Sequence, residues 1–209
     1  MTLSLNEVEA LAKKAARGAG YSWGMAEEAG RATRWLCAHD VDGVLALAHL
    51  LKQLDGIEFT DFSPIIGEIW CARGAHLCPI SAGATMSDRA GVLRDHPVHM
   101  QAVLQPVLLG AFAGQVAMHL GEVVTVTWNQ TVLATDGHTQ SVTGETHQPL
   151  ANAAISVGGR MSQCQVGKTR ADPDTTGLEI LNRFAHRTYA PATEESRLKG
   201  AGAGIADND

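Results

Sequence analysis

The residues best suited to chemistry fall in two stretches, Ser81-Ala-Gly-Ala-Thr-Met-Ser-Asp88-Arg89 and Ser196-Arg197-Leu-Lys-Gly200-Ala-Gly202-Ala-Gly204 near the C-terminus. Each combines small residues and a hydroxyl with an arginine. Glycine N–H groups beside a guanidinium can form a nest for a carboxylate or phosphate. Arg197 is therefore the expected charge partner, with Ser196 and the backbone at Gly200, Gly202 and Gly204 as supporting donors. Ser87, Asp88 and Arg89 are candidate ligand contacts because the 81–89 segment reads as a loop following a strand, where substrate-contacting groups gather. The tail's glycine spacing does not match the dinucleotide fingerprint and follows no strand. A competing reading of the tail is a short helix capped by Thr193 and closed at Gly200, leading into closely packed backbone at a subunit interface.

Nine histidines invite a metal argument. Asp95-His96-Pro-Val-His99 is the tightest group and His76-Leu-Cys78 the next. Pro97 opposes the helix that would align an H-x-x-H pair, and zinc needs three or four convergent ligands. No metal site is read. Cys71 and Cys78 sit in apolar surroundings, which suits inert packing better than a thiolate nucleophile. The chain carries no G-x-S-x-G, H-E-x-x-H or Walker loop, so neither a catalytic residue nor a cofactor is assigned.

The 209-residue chain is long enough to bury roughly 70% of its unfolded surface. Its net charge is −6 and its 16 Lys and Arg are scattered, so the basic footprint of a nucleic-acid binder is missing. The N-terminus lacks a basic n-region and an apolar h-region, and no signal peptide is read. The apolar run from Val103 to Leu120 is broken by Gln105, Pro106, Gln115 and His119, whereas a membrane span needs roughly 20 apolar residues. Four widely spaced cysteines fit a reducing compartment, and cytoplasmic placement is the expectation. Twenty-two glycines and only 18% charged residues favour close packing and a large interface, hence a homo-oligomer.

The elements that would position these groups follow from local signals. Ser4 and Glu7 form a capping box, and Val8, Leu11, Ala12 and Ala15 recur at helical spacing behind it. Ser22 opens a second helix to Ala38, with Gly24 and Gly30 permitting a close neighbour, and Val44–Leu54 is a third. Residues 65–71 read as a short buried strand. Residues 76–84 read as another, which Pro79 restricts to an edge or bulge. Val98–Leu104 is strand-like. Residues 106–120 are either a buried helix bracketed by Pro106 and Gly121 or a broken strand. Glu122–Trp128 alternates as a strand, Asp136-Gly137 marks a hairpin, and Ala153–Met161 is a further strand. A polar loop spans 170–177, and a last helix ends near Tyr189. The expected fold is α+β: a helical subdomain over 1–55, made of an N-terminal helical hairpin plus a third helix, then a body over 56–209. That body holds a mixed β-sheet, a buried central helix, a C-terminal helix and a glycine-rich arm.

The N-terminal Ser4-Leu-Asn-Glu-Val-Glu-Ala-Leu-Ala-Lys-Lys-Ala-Ala-Arg-Gly-Ala-Gly-Tyr-Ser-Trp-Gly24, Ala26-Glu-Glu-Ala29 and Trp35 carry a family likeness, together with Tyr189-x-Pro191, Ser196-Arg197-Leu198 and Gly200-Ala-Gly-Ala-Gly204. They resemble an uncharacterised bacterial family labelled domain of unknown function 3726. The resemblance spans essentially the whole chain, strongest at its ends, and implies a soluble bacterial protein with no assigned activity. The helical hairpin and Asp40-Val-Asp-Gly43 are also faintly similar to the N-terminal helices of the malate and lactate dehydrogenase-like family, which uses nicotinamide cofactors. That family's later histidine-containing and glycine-rich signatures have no counterpart here. The leading expectation is a protein that binds a small anionic metabolite, with or without catalysis, near Arg197 and the 81–89 segment. The alternatives are a structural or interaction protein whose arm forms a subunit interface and, third, a nicotinamide-dependent oxidoreductase.

Overall fold

The computed structural model describes residues 2–189, so Ser196, Arg197, Gly200, Gly202 and Gly204 lie outside the described residues. The chain begins with the capping box. Glu7 N donates to Ser4 Oγ at 3.3 Å and Ser4 N donates to Glu7 Oε2 at 2.7 Å, which starts α1 (Leu5–Gly18). Its buried stripe of Val8, Ala12 and Ala15 packs on α2 (Trp23–Ala38), where Ser22 Oγ accepts from Met25 N. The small-residue approach holds at Gly30, where a Cβ would come within 3.1 Å of the Glu9 carbonyl oxygen. It does not hold at Gly24, which has nothing within 4 Å. Asp42 caps α3 (Gly43–Leu54) through Leu45 N at 2.9 Å.

After the single turn α4 (Phe59–Phe62), the chain forms β2 (Ile69–Trp70), numbered after the two-residue β1 (Leu3–Ser4). The strand expected over 65–71 is thus shorter, closed by an antiparallel bridge between Ile65 and Cys71, and its isoleucines face outward rather than into the core. The strand expected over 76–84 is overturned: Pro79–Asp88 is α5, so residues 81–88 are helix and not loop, with Arg89 as the C-cap. Pro79 takes the first helical position, where its missing N–H costs nothing, and a one-residue parallel bridge of Leu77 to Val103 is all that remains of the strand.

A 3-10 turn at Ala90–Arg94 leads to β3 (Val98–Leu104). A second turn, Pro106–Leu108, opens α6 (Leu109–Leu120), which Gly121 ends in the left-handed conformation at φ 69°. Residues 106–120 are therefore the helix of the two readings. α6 is buried almost all round. Then come β4 (Val124–Trp128), β5 (Thr131–Thr135), β6 (Thr139–Thr143) and β7 (Leu150–Val157), the last starting earlier than expected and stopped by Gly158 and Gly159 at positive φ. β8 (Gln165–Val166) and β9 (Arg170–Ala171) precede α7 (Thr175–His186). The polar loop expected over 170–177 thus opens with a strand, which pairs with β1.

The described residues form an α+β fold around a seven-stranded mixed sheet, ordered β2-β3-β7-β4-β5-β6-β8. Only the β2–β3 pair is parallel in that sheet. α6 packs on β4 and β5, α2 and α5 pack on α6, and α7 packs on α1 and α3. Val124, Val126 and Trp128 point toward the helices and are buried, as their alternation requires. No helix among the described residues is long and apolar enough to cross a membrane.

Candidate functional site

A cleft of about 610 Å³ lies where the 65–71 hairpin, the 3-10 turn and the start of β3 meet. Three local decisions build it. The parallel pairing of Ile69 with His99 and Trp70 with Met100 sets β2 beside β3. Gly74 N donates to the Asp61 carbonyl and Cys78 N to the Phe62 carbonyl at 3.0 Å, which ties both ends of the following loop to α4. Arg94 then clamps the 3-10 turn to the end of α6, with Nη2 donating to the Leu120 carbonyl at 3.1 Å and Nε to Glu122 Oε1 at 3.2 Å.

The walls are apolar, formed by Ile66, Trp70, Val92, Pro97 and Val98, with Trp70 and Val98 anchored in the core. Four ionisable side chains line it: Arg89, Glu68, His96 and His99. Arg89 is the residue that caps the C-terminus of α5, its N–H bonded back to the Met86 carbonyl at 3.0 Å. Its guanidinium has no ion pair or hydrogen bond among the described residues. A neighbouring depression of about 480 Å³ shares His99 and is lined by the uncharged Gln101, Asn129 and Asn152. There the Met100–Val103 bulge, with Ala102 at φ 51°, is held by Ala102 N donating to Asn152 Oδ1 at 3.0 Å.

Of the residues singled out in the sequence, Arg89 lines the cleft, whereas Ser87 and Asp88 do not. Asp88 is exposed at the last position of α5, and Ser87 keeps a buried Oγ without a partner. His96 and His99 do reach one cleft, yet no three His, Cys, Asp or Glu side chains among the described residues are grouped to hold a metal. Glu68 was missed because nothing in its surrounding sequence marks it; its placement depends on β2 reaching β3.

The cysteines are unpaired. Burial pushes the Cys37 thiol up to about 11, far from a neutral-pH nucleophile. Burial also raises Cys78, despite the hydrogen bond it shares with Tyr21 Oη at 3.2 Å. That buried pair sits under the ring of Phe62, stacked on Tyr21 at 5.9 Å, and packs α2's entry loop against α5. These thiols belong to the core.

A search of curated proteins finds no match to the chain. Among solved structures, the chain is similar to the crystal structure of malate dehydrogenase from Entamoeba histolytica, at 11% identity and a TM-score of 0.49. That alignment covers 88% of this chain and 53% of the other, so the chain spans about half the length of that structure. Residues 3–76 match the model of the family described as "Protein of unknown function (DUF3726)", and the family resemblance carried by the N-terminal motifs holds over that segment.

Proposed function

We propose that the protein binds a small anionic metabolite in the cleft between the 65–71 hairpin, the 3-10 turn and β3. The observation that carries this reading is Arg89, a guanidinium without a partner among the described residues, on the wall of an otherwise largely apolar cleft. An arginine fork takes a carboxylate or phosphate through two parallel N–H bonds, and apolar walls lower the dielectric around the pair and strengthen it. His96 and His99 supply further donors and are the cleft's candidates for proton transfer if the bound molecule reacts. Binding itself needs only the arginine and the walls. Arg197 and Ser196 remain in the proposal as groups that the C-terminal segment could bring to the same anion. A reducing, cytoplasmic setting suits four unpaired cysteines.

Thermal unfolding against a panel of carboxylates and phosphate esters tests the reading. A ligand present at about 100 times its Kd adds about 2.7 kcal/mol to stability, enough to raise Tm by several degrees. Arg89→Ala should abolish that rise while leaving the ligand-free stability within about 1 kcal/mol of wild type, since the side chain is exposed and has no partner among the described residues. An undiminished rise in the variant would overturn the assignment.

A second reading, a protein whose surface serves a subunit interface, is favoured by one observation. Ile57, Phe59, Ile65, Ile66 and Ile69 are all exposed within 13 residues of chain. The third, a nicotinamide-dependent oxidoreductase, rests on the N-terminal resemblance alone and has no residue assigned to it.

A further inference from the structure

Arg89 is matched in its cleft by an opposite charge. Glu68, at the tip of the 65–71 hairpin, lines the same walls, and it too has no ion pair or hydrogen bond among the described residues. An arginine and a glutamate count as an ion pair when N and O lie within about 4 Å. These do not meet. Each is mounted on its own element, Arg89 on the C-cap of α5 and Glu68 on a hairpin braced against β3. Trp70, Val92 and Val98 line the same cleft and supply its apolar surface.

A cation and an anion that line one cleft without pairing are complementary to a small molecule that carries both opposite charges, its carboxylate for the arginine and its ammonium for the glutamate. Resting on the reading that an anion binds at Arg89, we infer that the ligand is a zwitterion of the amino-acid class with an apolar side chain. Its carboxylate lies in the Arg89 fork, its ammonium donates to Glu68, and its side chain lies on Trp70, Val92 and Val98. A simple carboxylic acid would leave Glu68 facing the apolar part of the ligand without a donor, and a site built around a polar group discriminates strongly against the analogue that lacks it.

Calorimetric titration of the full chain with three matched sets tests this: L-leucine, L-methionine and L-phenylalanine, each beside the acid that lacks only the amino group. Wild type should bind at least one amino acid about tenfold or more tightly than its deaminated partner. Glu68→Gln should erase that preference, and Arg89→Ala should remove binding of both members of the set. Circular dichroism and Tm of both variants, which alter exposed side chains, confirm that they are folded. Equal affinity for acid and amino acid overturns the zwitterion while the anion reading stands. A preference that survives Glu68→Gln overturns the role of Glu68. If none of the six compounds binds, the zwitterion is overturned, and the anion reading is decided separately by the thermal panel of carboxylates and phosphate esters.

Discussion

Asp136 shows how one side chain can fix a turn. Its Oδ1 accepts from His138 N at 2.8 Å and Thr139 N at 2.7 Å, closing the loop between β5 and β6, while Gly137 takes φ 90°. Those backbone donors, Thr139's foremost, favour the ionised form and hold the carboxyl below its ordinary value of 3.8. A depressed pKa in the folded state means the stabilisation is fully present above the unfolded value and is lost as pH falls through the folded one. Asp136→Ala is therefore expected to cost about 1 kcal/mol at pH 7, a modest figure because the group is exposed. The gap between variant and wild type in urea denaturation should narrow below pH 3.8. A gap constant down to pH 2 would show that the carboxylate's charge plays no part. Arg89 behaves differently: its side chain has no partner among the described residues, and this is what recommends it for binding.

Among the elements, α5 carries the lesson. Its Pro79, Ser81, Gly83 and Thr85 read as strand and loop because each lowers helix propensity locally. Packing reverses that. A Cβ on Gly83 would lie 2.2 Å from Cδ2 of the fully buried Phe112, so the glycine is what lets α5 rest on α6. Gly83→Ala, normally favourable in a helix, is expected to destabilise by about 1–3 kcal/mol through overpacking. Thermal unfolding would reveal it, and Phe112→Leu in the same chain should recover part of the loss. A neutral or stabilising Gly83→Ala would show that the two helices have room to move apart.

For the whole molecule, the exposed isoleucines of the 65–71 hairpin raise the question of assembly, since they expose Ile65, Ile66 and Ile69 at 52%, 48% and 56%. Clustered apolar exposure of this kind marks an interaction surface more often than a bare monomer does. The expectation is a homo-oligomer by light scattering that becomes monomeric in the Ile65→Lys/Ile69→Lys variant. A wild-type chain that is monomeric at tens of micromolar, or a variant that still assembles, removes the interface reading at this hairpin. Because Ile66 also walls the cleft, assembly and ligand binding would be coupled there.

The sequence alone determined the features that depend on neighbours a few residues apart. The Ser4–Glu7 capping box, the alternation of β4 and the Asp136-Gly137 turn are all short-range decisions, and each is present in the fold, whereas the sequence leaves helix or strand at 106–120 open. Only the tertiary structure decided that Pro79–Asp88 is a helix, that Arg170–Ala171 crosses back to pair with Leu3–Ser4, and that Glu68, Arg89, His96 and His99 share one cleft. The physical reason is the same in each case. Local propensities there are weak or opposed, and the deciding energy comes from contacts between residues far apart in the chain, which a linear pattern does not record.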